Sequence, residues 1–137
     1  MNDPQPPHRR IRSTLAVIAG MLVIVIFSTA TDFAFGEVGI APDVDKLWPD
    51  SLLLIATAYR IVYSIAGCYL AARLAPVRPM QHALILGAIG FVASLAGAIA
   101  MRGLGPAWYS IALVAIALPC AWVGGRLYGA RNQKHAV

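Results

Sequence analysis

Residues 51–72, SLLLIATAYRIVYSIAGCYLAA, decide the fold, because they hold no proline and no acid, and every side chain but one is apolar or weakly polar. Wound as a helix at 1.5 Å per residue, the stretch is about 33 Å long, enough to cross roughly 30 Å of hydrocarbon. In that solvent only a helix pairs every backbone N–H and C=O within the segment itself. The exception is Arg60, close to the middle. A charge at that depth costs free energy unless it is paired, so it marks a candidate site.

Three more apolar runs flank this one: Ile11 to Ala30, Ala83 to Met101 and Ala107 to Gly125. The chain of 137 residues is 59% apolar and 12% charged, with a mean hydropathy of +0.70. A soluble domain carries about twice that charged fraction. The connections are too short for an extra domain, so the sequence predicts an all-α membrane protein, four transmembrane helices in a compact bundle. The predicted helices cover about 11–34, 50–74, 80–101 and 107–128, within a domain of 11–128 between tails at 1–10 and 129–137.

Arg9, Arg10 and Arg12 before an apolar core, then Ser28-Thr29-Ala30, imitate a secretory signal with a small-residue cleavage site. The uncharged stretch from Ser13 to Thr31 is long for a signal core and favours a retained helix. Arg9-Arg10 lacks the rest of a twin-arginine pattern. Lys and Arg count then sets orientation. Arg9, Arg10, Arg12, Arg73, Arg78, Arg126, Arg131 and Lys134 fall on one side, eight against only Lys46 and Arg102 on the other. Asp32, Glu37, Asp43, Asp45 and Asp50 share the second side. Both termini are expected in the cytoplasm, and so one-sided a bias argues against dual topology.

The net charge of +5 is thus a topology signal first. It offers no broad basic surface with aromatic platforms, so no nucleic-acid partner is expected; the lipid bilayer is. Trp48, Trp108-Tyr109, Tyr69, Trp122 and Tyr128 fall at helix ends, where amphipathic rings anchor at the interface.

Helical spacing places Thr57, Tyr63, Ser64 and Gly67 on or beside the face of Arg60, a polar stripe expected to look into the bundle. Asp32, at the outer end of the first helix, is the natural partner, with Ser94 on the third helix a neutral alternative. Depth opposes the pair, since Asp32 lies near the boundary and Arg60 several turns below. A first helix running on to about Phe35, with the arginine snorkelling, removes the difficulty. Arg60 then serves as a lock between helices; the other roles open to it are lining a path for an ion or substrate and touching a partner subunit or lipid phosphate.

Ala83, Gly87, Gly90, Ser94 and Gly97 recur every three or four residues on the third helix, a stripe of small side chains that lets backbones approach closely. Ser64, Gly67 and Ala71 form a shorter stripe on the second helix, and Gly124-Gly125 closes the fourth. Pro119 is expected to kink that helix or free a carbonyl near Ala115. Residues 69–74, YLAARL, echo residues 122–127, WVGGRL, and Ala16 to Gly20 share their spacing with Ala83 to Gly87. A duplicated helical hairpin of parallel topology would leave this trace.

Cys68 and Cys120 form no C-x-x-C pair and read as packing residues rather than a thiol-disulfide centre. His8, His82 and His135 have no second ligand at helical spacing, so no metal is expected, and no cofactor. No nucleophile, base and carboxylate cluster stands in the sequence, and no enzyme is expected. Thr31-Asp32, Ala58-Tyr59-Arg60, residues 72–76 (ARLAP), His82-Ala83, Gly87 and Leu118-Pro119 with residues 124–126 (GGR) resemble a family of small four-helix bacterial inner-membrane proteins of no assigned activity. The likeness covers the chain except its tails and implies a bacterial inner membrane. The function expected is structural or accessory, in assembly with itself or a larger membrane complex; the alternative is a small transporter or channel with Arg60 lining a polar path.

Overall fold

The computed structural model describes residues 7–40 and 46–136. These form four helices: α1 (Pro7–Glu37), α2 (Asp50–Leu74), α3 (Pro79–Ala100) and α4 (Ala107–Lys134). Each is long and apolar enough to cross a membrane. The expected acids Asp43 and Asp45, and residues 1–6 of the amino tail, lie outside the described residues.

Local chemistry sets the ends. The N–H of Ile40 bonds the carbonyl of Phe35 at 3.0 Å and that of Gly39 bonds Gly36 at 3.1 Å, with Gly39 left-handed at φ +71°. This is the glycine stop in which two backbone bonds close the last turn. It carries α1 to Glu37, three residues past the expected limit, so Asp32 lies inside the helix. Asp50 in the first turn of α2 and Arg73 in its last complement the helix dipole. Pro79 opens α3 at a position whose missing N–H costs nothing. In α4, Arg131 and Lys134 occupy the last turn and extend the helix beyond the expected 128. The helix continues through Pro119, so what that proline removes is one backbone bond, to the carbonyl of Ala115.

α2 is the hub. It touches α1, α3 and α4, whereas α1 meets α3 lightly and α4 not at all among the described residues. The buried cluster is Cys68, Ala71, Ala72, Ala83, Leu86 and Ala121, and no large side chain is fully enclosed. Small residues replace a core of large ones because, in an apolar solvent, close backbone approach supplies the packing that water exclusion otherwise drives. A methyl placed on Gly20 would lie 2.5 Å from the carbonyl oxygen of Gly67 and 3.0 Å from Ala71 Cβ; one on Gly87 would strike Ala121 Cβ and lie 3.4 Å from the carbonyl of Ala117. Both hairpins therefore close in the same way, a glycine of the first helix against residues four apart on the second. The shared register, 67 with 117 and 71 with 121, differs by three residues from the sequence echo of 69–74 in 122–127.

The structure divides the small-residue stripe of α3. Ala83 and Gly87 are buried, but nothing lies within 4 Å of where a Cβ would stand on Gly90 or Gly97. The packed half is the end at which α1 begins and α4 finishes, with eight of the basic residues. Towards the opposite, acidic end α3 has no buried residue beyond Gly87. Elsewhere the surface is apolar, with Val25, Phe33, Val62, Val92 and Ile111 all more than half exposed. A continuous surface of that kind suits lipid as its solvent.

Candidate functional site

The polar residues of the acidic end gather between α1 and α2. Arg60 Nη2 donates to Asp32 Oδ2 at 2.6 Å, with each side chain about one-third exposed, 32% and 33%. Tyr59, beside the arginine, donates its hydroxyl to the other carboxylate oxygen, Oδ1. One turn on, the hydroxyls of Tyr63 and Thr31 are 2.9 Å apart. Thr31 already gives its proton to the carbonyl of Phe27, at 2.8 Å, so Tyr63 is the donor. The rings of Phe35, Tyr59, Tyr63 and Phe27 stack in sequence, with centroids 5.8, 5.8 and 5.7 Å apart.

Helix direction closes the gap in depth between Asp32 and Arg60. Every Cα–Cβ bond tilts towards its helix N-terminus. α1 and α2 run antiparallel, so Asp32 leans back into the apolar layer while Arg60 leans out of it, and the two side chains converge. From the Gly20–Gly67 contact, Asp32 lies twelve residues and Arg60 seven residues towards the acidic end. At 1.5 Å per residue the difference is about 7.5 Å, within reach of an extended arginine. The carboxylate, with its two oxygens used by different donors, is the most fully satisfied group of the cluster. Arg60 Nε is buried and has no hydrogen-bond partner.

Of the other expected members, Gly67 is buried where α1 and α2 touch. Thr57 turns its hydroxyl to the carbonyl of Leu53 in its own helix, at 2.8 Å. No hydrogen bond joins Ser64 or Ser94 to the cluster among the described residues, and both are half-buried. Ser94 belongs to the half of α3 that makes no close approach. Three residues with a part in this arrangement were not singled out for it by the sequence reading: Tyr59, Thr31 and Tyr109. Tyr109 of α4 lies near Arg60. A trace of the first two stands in the chain, since Phe27, Thr31 and Phe35 on α1 and Tyr59 and Tyr63 on α2 all recur every four residues, matching stripes for one interface. Tyr109 carries no such trace; adjacent to Trp108, it reads as an interfacial anchor. Trp108 itself donates its Nε1–H to Asp50 Oδ1 at 3.1 Å and ties the starts of α4 and α2.

Chemically the arrangement is a charge pair held by one neutral hydroxyl, that of Tyr59, with a second hydroxyl contact one turn away and aromatic rings as its wall. It offers no nucleophile with an adjacent base, and among the described residues no three His, Cys, Asp or Glu side chains gather as metal ligands. Cys68 and Cys120 are buried free thiols on the packed half. His82, also buried there, has Nδ1 3.2 Å from the carbonyl of Arg78, within the first turn of α3. No family model, no curated protein and no solved structure matches the chain.

Proposed function

We propose that this chain is a multi-pass protein of a bacterial inner membrane, structural or accessory in role, that assembles with itself or with a larger membrane complex. The observation that carries this reading is the Asp32–Arg60 pair, because the one charge deep in the apolar layer is engaged by a carboxylate of the same chain. Such a pair serves as a lock: breaking it by removing one partner leaves an uncompensated charge in a medium of low dielectric. The bias of eight basic residues against two supports a cytoplasmic position for both termini, and the likeness of Thr31-Asp32 and Ala58-Tyr59-Arg60 to small inner-membrane proteins supports the same membrane. A path reading is the weaker one, since a path needs polar walls from several helices and, among the described residues, only α1 and α2 share hydrogen bonds in this cluster.

The test is Arg60→Leu in the full chain, extracted from native membranes in mild detergent through a tag on the carboxyl tail. The lock predicts a lower melting temperature and loss of the assembled species, whether homo-oligomer or complex. Unchanged melting with unchanged assembly would overturn it. Wild-type uptake or conductance in liposomes that vanished in Arg60→Leu, with the fold retained, would put the path reading in its place.

A further inference from the structure

At the opposite end of the molecule an open depression of about 570 Å³ lies between the first turns of α1 and the start of α3, lined by Arg9, Arg10, Ser13, Thr14, Arg78 and Gln81. Arginines from two separate segments, Arg9 and Arg10 on one and Arg78 on the other, line it, and among the described residues no acid does. The one acidic residue of this end of the sequence, Asp3, lies outside the described residues. α1 and α3 both begin here, neither with an acidic residue in its first turn. Their dipoles add positive potential to that of the arginines. Thr14 donates its proton to the carbonyl of Arg10 at 3.1 Å, so the lining groups offered here to an anion are the guanidinium groups of Arg10 and Arg78, with Ser13 and Gln81.

Depth identifies the anion. The apolar run of α1 starts at Ile11 and that of α3 at Ala83, so Arg10 and Arg78 stand where hydrocarbon gives way to headgroups. Ile85 and Ile89, 50% and 42% exposed, follow Gln81 at steps of four along α3 and offer an apolar track on the same helix face. A forked cation above an apolar track suits a phosphate that carries acyl chains, and the planar guanidinium takes two phosphate oxygens at once. We infer that this depression is a binding site for the phosphodiester headgroup of an anionic lipid, which Arg10 and Arg78 grip from α1 and from the α2–α3 connection. The inference rests on the membrane reading above and adds a specific ligand to it.

The experiment is native mass spectrometry of the full chain in mild detergent with added phosphatidylglycerol, phosphatidylcholine or inorganic phosphate. The wild type is expected to retain one phosphatidylglycerol in preference to phosphatidylcholine. Arg10→Gln with Arg78→Asn, the asparagine chosen because it tolerates the left-handed backbone of position 78 (φ 48°), should cut that retention about 30-fold, the equivalent of about 2 kcal/mol for two arginines. Arg131→Gln with Lys134→Gln removes the same charge from the far end of α4 and should change retention by less than about twofold. Equal retention of the two lipids by the wild type, or equal losses in the two double variants, overturns the site. Inorganic phosphate bound without lipid preference overturns the lipid assignment. Should the first double variant not fold, Arg78→Lys keeps the charge without the fork; it is expected to lose about fivefold, and no loss overturns the inference. A chain released from membranes by carbonate would fail the membrane reading itself, whereas one that stays in the membrane but shows no lipid preference fails only this inference.

Discussion

Gly124→Ala asks whether α2 and α4 are held by backbone contact. A methyl on Gly124 would stand 2.7 Å from the carbonyl oxygen of Ile65, 2.8 Å from Cys68 Cβ and 2.9 Å from the amide nitrogen of Tyr69. Two of the three obstacles are backbone atoms of one helix, so no side-chain rotation relieves them. α4 must retreat by about 0.7–1 Å to restore ordinary contact, and a gap of that size forfeits a quarter to a half of the attraction of each contact it opens. Overpacking of this kind costs about 1–3 kcal/mol. Gly90→Ala is the companion variant on α3, with nothing within 4 Å of the new methyl. It should be neutral or gain up to about 0.5–1 kcal/mol from the better helix propensity of alanine. The two should thus differ by about 2–3 kcal/mol in reversible unfolding by SDS in mixed micelles, Gly124→Ala unfolding at the lower SDS fraction. Coincident curves for Gly124→Ala and the wild type would refute the close-contact argument.

Asp32→Asn should cost about 3 kcal/mol in the same titration, at the low end for a broken buried pair because each side chain is one-third exposed. Adding Arg60→Met to it should recover part of that loss, since no charge is then left alone; strictly additive losses would show that the pair does not act as a unit. Tyr63→Phe should cost about 1 kcal/mol, because it removes the donor to Thr31 while Thr31 keeps its own bond to Phe27. Gly125→Ala should cost less than about 1 kcal/mol, as its nearest obstacle, 2.6 Å away, is the flexible thioether of Met80; a loss as large as that of Gly124→Ala would show that Met80 is pinned.

The four helices were legible because their signal is one of length and composition, which the bilayer imposes on every spanning segment alike. Their ends were less so. α1 runs to Glu37 because the left-handed Gly39 closes its last turn, while the hydropathy pattern fades earlier, from Asp32 to Gly36. The small-residue stripe of α3 was legible as a pattern but not in extent. Spacing says that glycines share a face; how far a partner helix follows that face depends on the crossing geometry, which no single helix encodes. Tyr109 shows the same limit from the other side, since its relation to Arg60 exists only once α4 lies against α2.

The polar cluster and the small-residue core occupy opposite halves of the molecule, and the physics of each fits its place. Where Gly20, Gly67, Gly87 and Gly124 let backbones touch, dispersion attraction accumulates over many short contacts and needs no polar group. That attraction falls steeply with separation, so it cannot hold the end at which α3 ceases to make close approaches. At that end an arginine and an aspartate, staggered by about 7.5 Å along their helices, lean towards each other and meet. The charge deep in the apolar layer is therefore best understood through geometry: it adds a polar joint between α1 and the hub helix in the half where Ser28, Leu53 and Ala56 are buried and Gly90 and Gly97 of α3 make no close contact. It also sets which element is least held. The acidic-end half of α3 has neither close approaches at Gly90 and Gly97 nor a hydrogen bond from Ser94 to the polar cluster among the described residues. Opening of the structure should begin there, with residues 90–100 exchanging their amide hydrogens in mixed micelles before residues 60–72 of α2. The reverse order would mean that the polar cluster, rather than the packed half, is the weaker of the two joints.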